Sequence, residues 1–175
     1  GVERVVTPDE VRGAATSLRE AVTTSGWPTL GATRGKVFVI VMNDDRYLAA
    51  WRAGHAAGAG RVAFVHLPTD DPDAAFVKYD DPGDLAAIQD AVKAGFIVRT
   101  RADSVPGDPG PDGQHQSVKA LESGAQMVSS DHLKPRGNDP YYFEIRNGTP
   151  SRCNPVNAPD WCTPNDVEAP ATEPQ

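Results

Sequence analysis

The sequence predicts an α/β protein built from parallel βα repeats, and three observations carry that prediction. Four apolar runs, KVFVIVMND (36–44), RVAFVHL (61–67), FIVRTRAD (96–103) and AQMVSSD (125–131), are nearly continuous rather than alternating, as parallel strands covered on both faces are. Stretches with apolar residues at helical spacing separate them. The runs start at 36, 61, 96 and 125, so they stand 25, 35 and 29 residues apart, the rhythm of a βα unit. A closed eight-stranded barrel of roughly 250 residues uses about 31 residues per unit. The 175 residues therefore hold about four such units, and a doubly wound open sheet satisfies the same spacing.

The elements follow in order. TPDEVRGAATSLREAV (7–22) reads as an opening helix, with Thr7 as N-cap, Pro8 at the first helical position and Glu10 completing a capping box. DDRYLAAWRAGHAA (44–57) is the next helical stretch, and PGDLAAIQDAVKAG (82–95) is the clearest. In the latter, Leu85, Ile88 and Val92 recur at helical spacing and Gly95 stands where a helix stops. GQHQSVKALESGA (113–125) repeats the pattern, with Gly124 before the next strand. Beyond 135 the chain turns to a short strand-like piece, YYFEIRN (141–147), and a Pro-rich tail. The end, VEAPATEPQ (167–175), has the composition of a disordered segment. The expected division is a domain over 1–165 and a tail over 166–175.

Composition narrows the function. Lys plus Arg number 17 against 24 Asp plus Glu, for a net charge of -7. That balance argues against nucleic-acid binding, which needs a basic footprint, and it offers no polybasic patch for anionic lipid. A phosphate-bearing ligand would have to be held by a local cluster. No apolar run approaches the roughly 20 residues that span a bilayer, and no leader is visible, so the chain is expected to be soluble, with removal of a leader in processing compatible. Cys153 and Cys162 have eight residues between them, which fits neither a CxxC redox motif nor a four-ligand zinc site. A disulfide is expected, worth about 2–3 kcal/mol in the chain-entropy account, and with it an oxidising, extracellular setting; two free thiols are the alternative.

Candidate chemistry gathers at the C-terminal ends of the four strands. The first delivers Asn43, Asp44 and Asp45, the second His66, the third Arg99, Arg101 and Asp103, and the fourth Ser129, Ser130, Asp131 and His132. In an α/β fold this is the end at which sites are built. Along the third strand side chains alternate faces, so Ile97, Arg99, Arg101 and Asp103 share one face and Phe96, Val98, Thr100 and Ala102 the other. Two guanidinium groups on one face suit a phosphate, because each donates paired hydrogen bonds and neither deprotonates. The bland reading is a solvated surface strand. His66 and His132 are candidates for proton transfer, although a lone histidine at a strand end is more often a bystander. His55 is expected on the surface, and His115 is assigned no role. Asp70, Asp71 and Asp73 lack EF-hand spacing and read as a solvated acidic turn. Asn147-Gly148-Thr149 is a glycosylation triplet of high chance frequency. Walker, GxGxxG, HExxH and GxSxG patterns are missing.

TPDEVRG, GWPTLGATRGKV, DAAFVKYDDP, GFIVRTRAD, GAQMVSSD and RCNPVNAP, ordered over residues 5 to 162, together resemble the bacterial secreted, calcium-dependent phosphatidylinositol-specific phospholipase C family of the PLC-like phosphodiesterase superfamily. The resemblance covers that family's C-terminal half. It implies half of a TIM-type barrel, with about four strands and their helices, and a disulfide-stapled tail. It further implies cleavage of a phosphoinositide phosphodiester: an inositol hydroxyl attacks phosphorus, diacylglycerol leaves, and a cyclic inositol phosphate forms. Paired histidines act as base and acid, and both lie in the N-terminal half. Carried over residue by residue, Arg99, Arg101 and Asp103 become phosphate or inositol contacts. Asp131 becomes the catalytic candidate, as an orienter, and Asn43 and Asp44 become candidate metal-shell residues, with calcium as the candidate cofactor. The implied partners are the phosphoinositide or a related phosphodiester, the missing N-terminal half of the barrel, and a transient membrane surface. A non-catalytic phosphate-binding or interaction module derived from the same fold is the alternative function, and a phosphodiesterase acting on glycerophosphodiesters is a weaker one.

Overall fold

A computed structural model describes residues 1–42, 45–103, 113–135, 137–138, 140–145 and 150–168, with backbone alone at 45 and 113–115. The chain divides into two compact units. Of the described residues, the first takes those in Gly1–Val77 and Ala94–Phe96, and the second those in Lys78–Lys93 and from Ile97 onward. The strands are β1 (Val5–Val6), β2 (Val37–Phe38), β3 (Ile40–Val41), β4 (Phe64–Val65), β5 (Phe76–Lys78), β6 (Ile97–Arg101) and β7 (Met127–Ser129). The α-helices are α1 (Pro8–Arg12), α2 (Leu18–Thr24), α3 (Leu30–Thr33), α4 (Asp45–Arg52), α5 (Leu85–Lys93), α6 (Gly113–Glu122) and α7 (Pro164–Glu168).

In the first unit the predicted opening helix is two helices. Thr7 caps α1 through Glu10 N at 3.2 Å, but the Glu10 carboxylate turns to Lys36 Nζ at 2.6 Å rather than closing the capping box. Gly13, at φ 53°, ends α1, a conformation that costs glycine little and other residues more. Ser17 then starts α2 by accepting from Glu20 N at 3.0 Å. The predicted strand 36–44 is broken between β2 and β3. Its first piece pairs in parallel with β1 and its second with β4, and His66 continues the series through a parallel bridge to Phe76. Each strand thus pairs with its neighbour in sequence.

The core of this unit buries Leu18, Val22, Phe64, Leu67 and Phe76 at 2% exposure or less. Each such side chain contributes about 1.5–3 kcal/mol relative to exposure. Trp27, Phe38 and Phe64 cluster with centroids 4.8–5.6 Å apart, Trp27 edge-on to Phe38 as aromatic quadrupoles favour and the other two pairs tilted. Trp27 Nε1 donates to Gly95 O at 2.9 Å. Gly95 is irreplaceable on two counts: its φ is +99°, and a Cβ there would stand 2.2 Å from the Val22 carbonyl oxygen.

In the second unit the strand order is β5-β6-β7, with β5 contributing its last residue, Lys78. β6 and β7 run parallel, with Arg99 opposite Met127 and Arg101 opposite Ser129. The predicted alternation holds along β6: Val98 and Thr100 are fully buried, while Ile97, Arg99 and Arg101 are half-buried. Ile88 and Val92 of α5 are fully buried, as their spacing predicted. Residues 141–145 form no strand, contrary to the reading of YYFEIRN; the described hydrogen bond to them from β7's exit runs from Phe143 N to His132 O at 2.8 Å. Cys153 and Cys162 are joined, with Cα atoms 6.0 Å apart. The architecture is therefore mixed α/β with parallel strands and one disulfide. No helix among the described residues is long and apolar enough to cross a membrane.

Candidate functional site

The second unit brings Arg99, Arg101 and Asp131 together where β6 and β7 end. Because the two strands are parallel, their last residues, Arg101 and Ser129, come out at the same end and in register. Arg99 lies at the centre. Its Nη1 donates to Asp80 Oδ1 at 2.5 Å and its Nη2 to Ser129 Oγ at 2.5 Å. Ser129 Oγ in turn approaches Thr100 O at 3.5 Å, so the hydroxyl donates there and accepts from the guanidinium. Asp80 follows the end of β5 and also takes Lys78 Nζ at 2.9 Å. The backbone joins the same neighbours, with Tyr79 N donating to Arg99 O at 2.9 Å. Arg101 Nη2 donates to Asp131 Oδ2 at 3.2 Å.

Both guanidinium groups therefore turn toward the ends of neighbouring strands instead of bulk water, with side chains 21% and 23% exposed. Burial pushes the Asp80 carboxyl up, but the hydrogen bonds and charges of Lys78 and Arg99 outweigh it and hold the group below the usual aspartate value. Asp80 is thus a carboxylate throughout the physiological range, and Lys78 and Arg99 together leave one positive charge in surplus around it.

Asp103 departs from the alternation. The strand ends at Arg101, and Asp103 is buried, 1% exposed. Its Oδ2 accepts from Ser130 Oγ at 2.5 Å and its Oδ1 from Asp131 N at 3.4 Å. The carboxylate thereby organises the turn that leaves β7, and Ser130 Oγ also accepts from His132 N at 2.9 Å. A buried carboxylate is tolerable because these donors satisfy it. His132 is buried at 3% exposure, edge-on to Tyr141 with centroids 5.3 Å apart, and its Nε2 has no hydrogen-bond partner among the described residues.

Other sequence candidates fall elsewhere. Asn43 and Asp44 lie outside the described residues, as do the triplet 147–149 and the side chain of His115. His66 belongs to the first unit. His55 is half-buried rather than on the surface, its Nδ1 2.6 Å from Ala59 O. The acidic turn is not simply solvated: Arg52 bonds Asp71 at 2.5 Å and Asp73 at 3.2 Å, and Asp71 Oδ1 accepts from Asp73 N. Two cavities of the second unit, about 640 and 540 Å³, share Leu121, Phe143, Glu144 and Arg152 and do not include either arginine of β6. We place the site at the arginines because charge and converging donors, rather than volume, match an anionic ligand. Sequence reasoning missed Asp80, which lies 19 residues from its partner Arg99, and Lys78, which bonds Asp80.

No group of three or more His, Cys, Asp or Glu among the described residues is arranged to hold a metal ion. The carboxylates at the mouth, Asp80 and Asp131, are each paired with a cation, a poor donor set for calcium, which needs six to eight oxygen ligands. No curated protein and no solved structure matches the chain. The family described as phosphoinositide phospholipase C, Ca2+-dependent, matches residues 1–155. Nearly the whole chain falls within that match, and the chain belongs to this phospholipase C family.

Proposed function

We propose that this chain supplies the head-group-binding part of a phosphatidylinositol-specific phospholipase C, and that the arginines of β6 receive the phosphate and inositol of the lipid. The observation that carries this reading is the convergence of Arg99 and Arg101 on the exits of adjacent strands, beside Lys78, Ser129 and Asp131. Guanidinium groups donate in pairs to phosphate oxygens, while carboxylates and a serine hydroxyl accept from ring hydroxyls. A mosaic of both suits a phosphorylated polyol. In the reaction the inositol hydroxyl attacks phosphorus and the diacylglycerol oxygen leaves. The part played by this chain is to hold the phosphate and ring in line and to offset the charge that develops on the phosphoryl oxygens.

The proton transfers are assigned to the two histidines that the resemblance places in an N-terminal half, and a half barrel of this family is the fold we assign. Parallel pairing of sequence neighbours within three short sheets is compatible with that assignment. The described carboxylates at the strand ends do not suit calcium. The disulfide favours an extracellular setting, where contact with a membrane surface would be transient.

The test is cleavage of phosphatidylinositol in mixed micelles. The purified chain should release no diacylglycerol, and addition of the N-terminal half should restore release. Robust cleavage by the chain alone contradicts the division of labour. Failure to cleave together with tight binding of inositol phosphate, in a parent that lacks upstream histidines, would favour the non-catalytic binding module instead.

A further inference from the structure

Arg99 differs from an ordinary strand arginine in being held from both sides. Asp80, beyond β5, takes Nη1, and Ser129, on β7, takes Nη2. Asp80 is itself held, with Lys78 Nζ on its second oxygen at 2.9 Å, and the Ser129 hydroxyl lies 3.5 Å from Thr100 O. The main chain of Arg99 is tied to the same side by the Tyr79 amide. A free arginine loses much rotamer freedom when it grips a ligand, and an arginine already oriented loses less.

We propose that Asp80 and Ser129 are positioning residues which set the plane of the Arg99 guanidinium, so that it meets a phosphate monoester or diester already aligned. The proposal rests on the head-group reading above and adds to it Asp80, which the sequence did not point to, and a specific role for Ser129, which the sequence placed only at a strand end. It also makes a prediction opposite in sign to simple electrostatics. Asp80 is an anion beside the proposed anion site, so if it acted only through its charge, removing that charge would strengthen phosphate binding. If it acts by orienting Arg99, removing the charge weakens binding even though the site becomes more positive. The lowered carboxyl of Asp80 keeps it in the form that accepts two donors.

The experiment is titration of the full chain with inorganic phosphate and with inositol 1-phosphate by calorimetry at constant pH, for wild type, Asp80→Asn, Asp80→Glu, Ser129→Ala and Ser129→Thr. Because the lost bond orients Arg99 and does not touch the ligand, a roughly 2- to 10-fold weaker Kd is expected, the factor that an ordinary intramolecular hydrogen bond carries. We expect that loss in Asp80→Asn and Ser129→Ala, with substantial recovery in Asp80→Glu and Ser129→Thr. Circular dichroism should show all five folded, and the Arg99 Nε–H resonance, sharp in wild type, should broaden in the two weakened variants. Tighter binding by Asp80→Asn, or unchanged binding with an unchanged Arg99 resonance, overturns the positioning role and leaves the head-group reading standing. Absence of binding by wild-type protein overturns the head-group reading itself, and the clamp with it.

Discussion

Two arginines with carboxylate partners sit in the two units, and their contrast shows how the same ion-pair chemistry serves different ends. In the first unit Arg52, in the last turn of α4, bonds Asp71 and Asp73. Both acids lie in one turn that Asp71 also caps from within. Two anions on one cation leave a negative surplus and a knitted loop, and the hydrogen bond that Arg52 donates to Asp71 helps hold the guanidinium in its charged form. In the second unit Arg99 has one carboxylate, which it shares with Lys78, and one neutral hydroxyl. That surplus is positive, and it stands where parallel strands end. Geometry is good in both places; the ratio of cations to carboxylates around the arginine, and its place at the strand ends, set the proposed anion site apart from the knitted loop.

Three substitutions test that contrast. The largest effect is expected from Arg101→Ala in the complete enzyme. Removing one donor to a developing oxyanion costs about 100- to 1,000-fold in turnover, while the melting temperature should stay nearly unchanged, because the bond to Asp131 is a half-exposed surface pair worth about 0–1 kcal/mol. Parallel loss of activity and stability would make Arg101 structural, and the contrast would collapse.

Arg52→Ala should do the reverse. It strands two carboxylates that are only 18% and 15% exposed, at a cost of about 1–3 kcal/mol visible in chemical denaturation. Inositol phosphate binding should not change. A loss of binding without a loss of stability would show that the first unit carries the anion site.

The smallest effect concerns pH. The folded carboxyl of Asp80 is held below its unfolded value. Its contribution to stability is therefore present above the unfolded value and fades as pH falls through the folded one. Wild type should exceed Asp80→Asn slightly in melting temperature at neutral pH, and the two should converge in acid below the ordinary aspartate range. The gap should be small, since Asp80 is 52% exposed. A gap that widens in acid would mean that the sign is wrong.

Much of this arrangement was legible in the chain, and the exceptions have physical causes. The four apolar runs became β2 with β3, β4, β6 and β7, because continuous branched and aromatic residues have few alternatives to a doubly covered strand. β1 and β5 escaped notice because two and three residues, Val5–Val6 and Phe76–Lys78, give too short a pattern; their partners, not their own propensity, make them strands. The opening helix broke at Gly13, where a left-handed turn outweighs a continuous helical spacing. In YYFEIRN the alternation is real, since Tyr141, Phe143 and Ile145 are half-buried and Tyr142 and Glu144 exposed, but alternation alone does not supply a paired edge.

The site divides in the same way. Strand alternation foretold that Arg99 and Arg101 share a face. It also placed Asp103 with them, and that failed because β6 ends at Arg101 and the chain carries Asp103 inward to the Ser130 turn. Asp80 was not foreseen because its partner lies 19 residues away, and contact at that separation is set by the relative placement of two strands, which no local pattern encodes.

The most direct test of the central claim is the response of arginine side chains to ligand, read from their Nε–H resonances as inositol 1-phosphate is added. The account predicts saturable shifts at Arg99 and Arg101 and none at Arg52. Shifts at Arg52 alone, or saturation without any movement of the two arginines of β6, would contradict it.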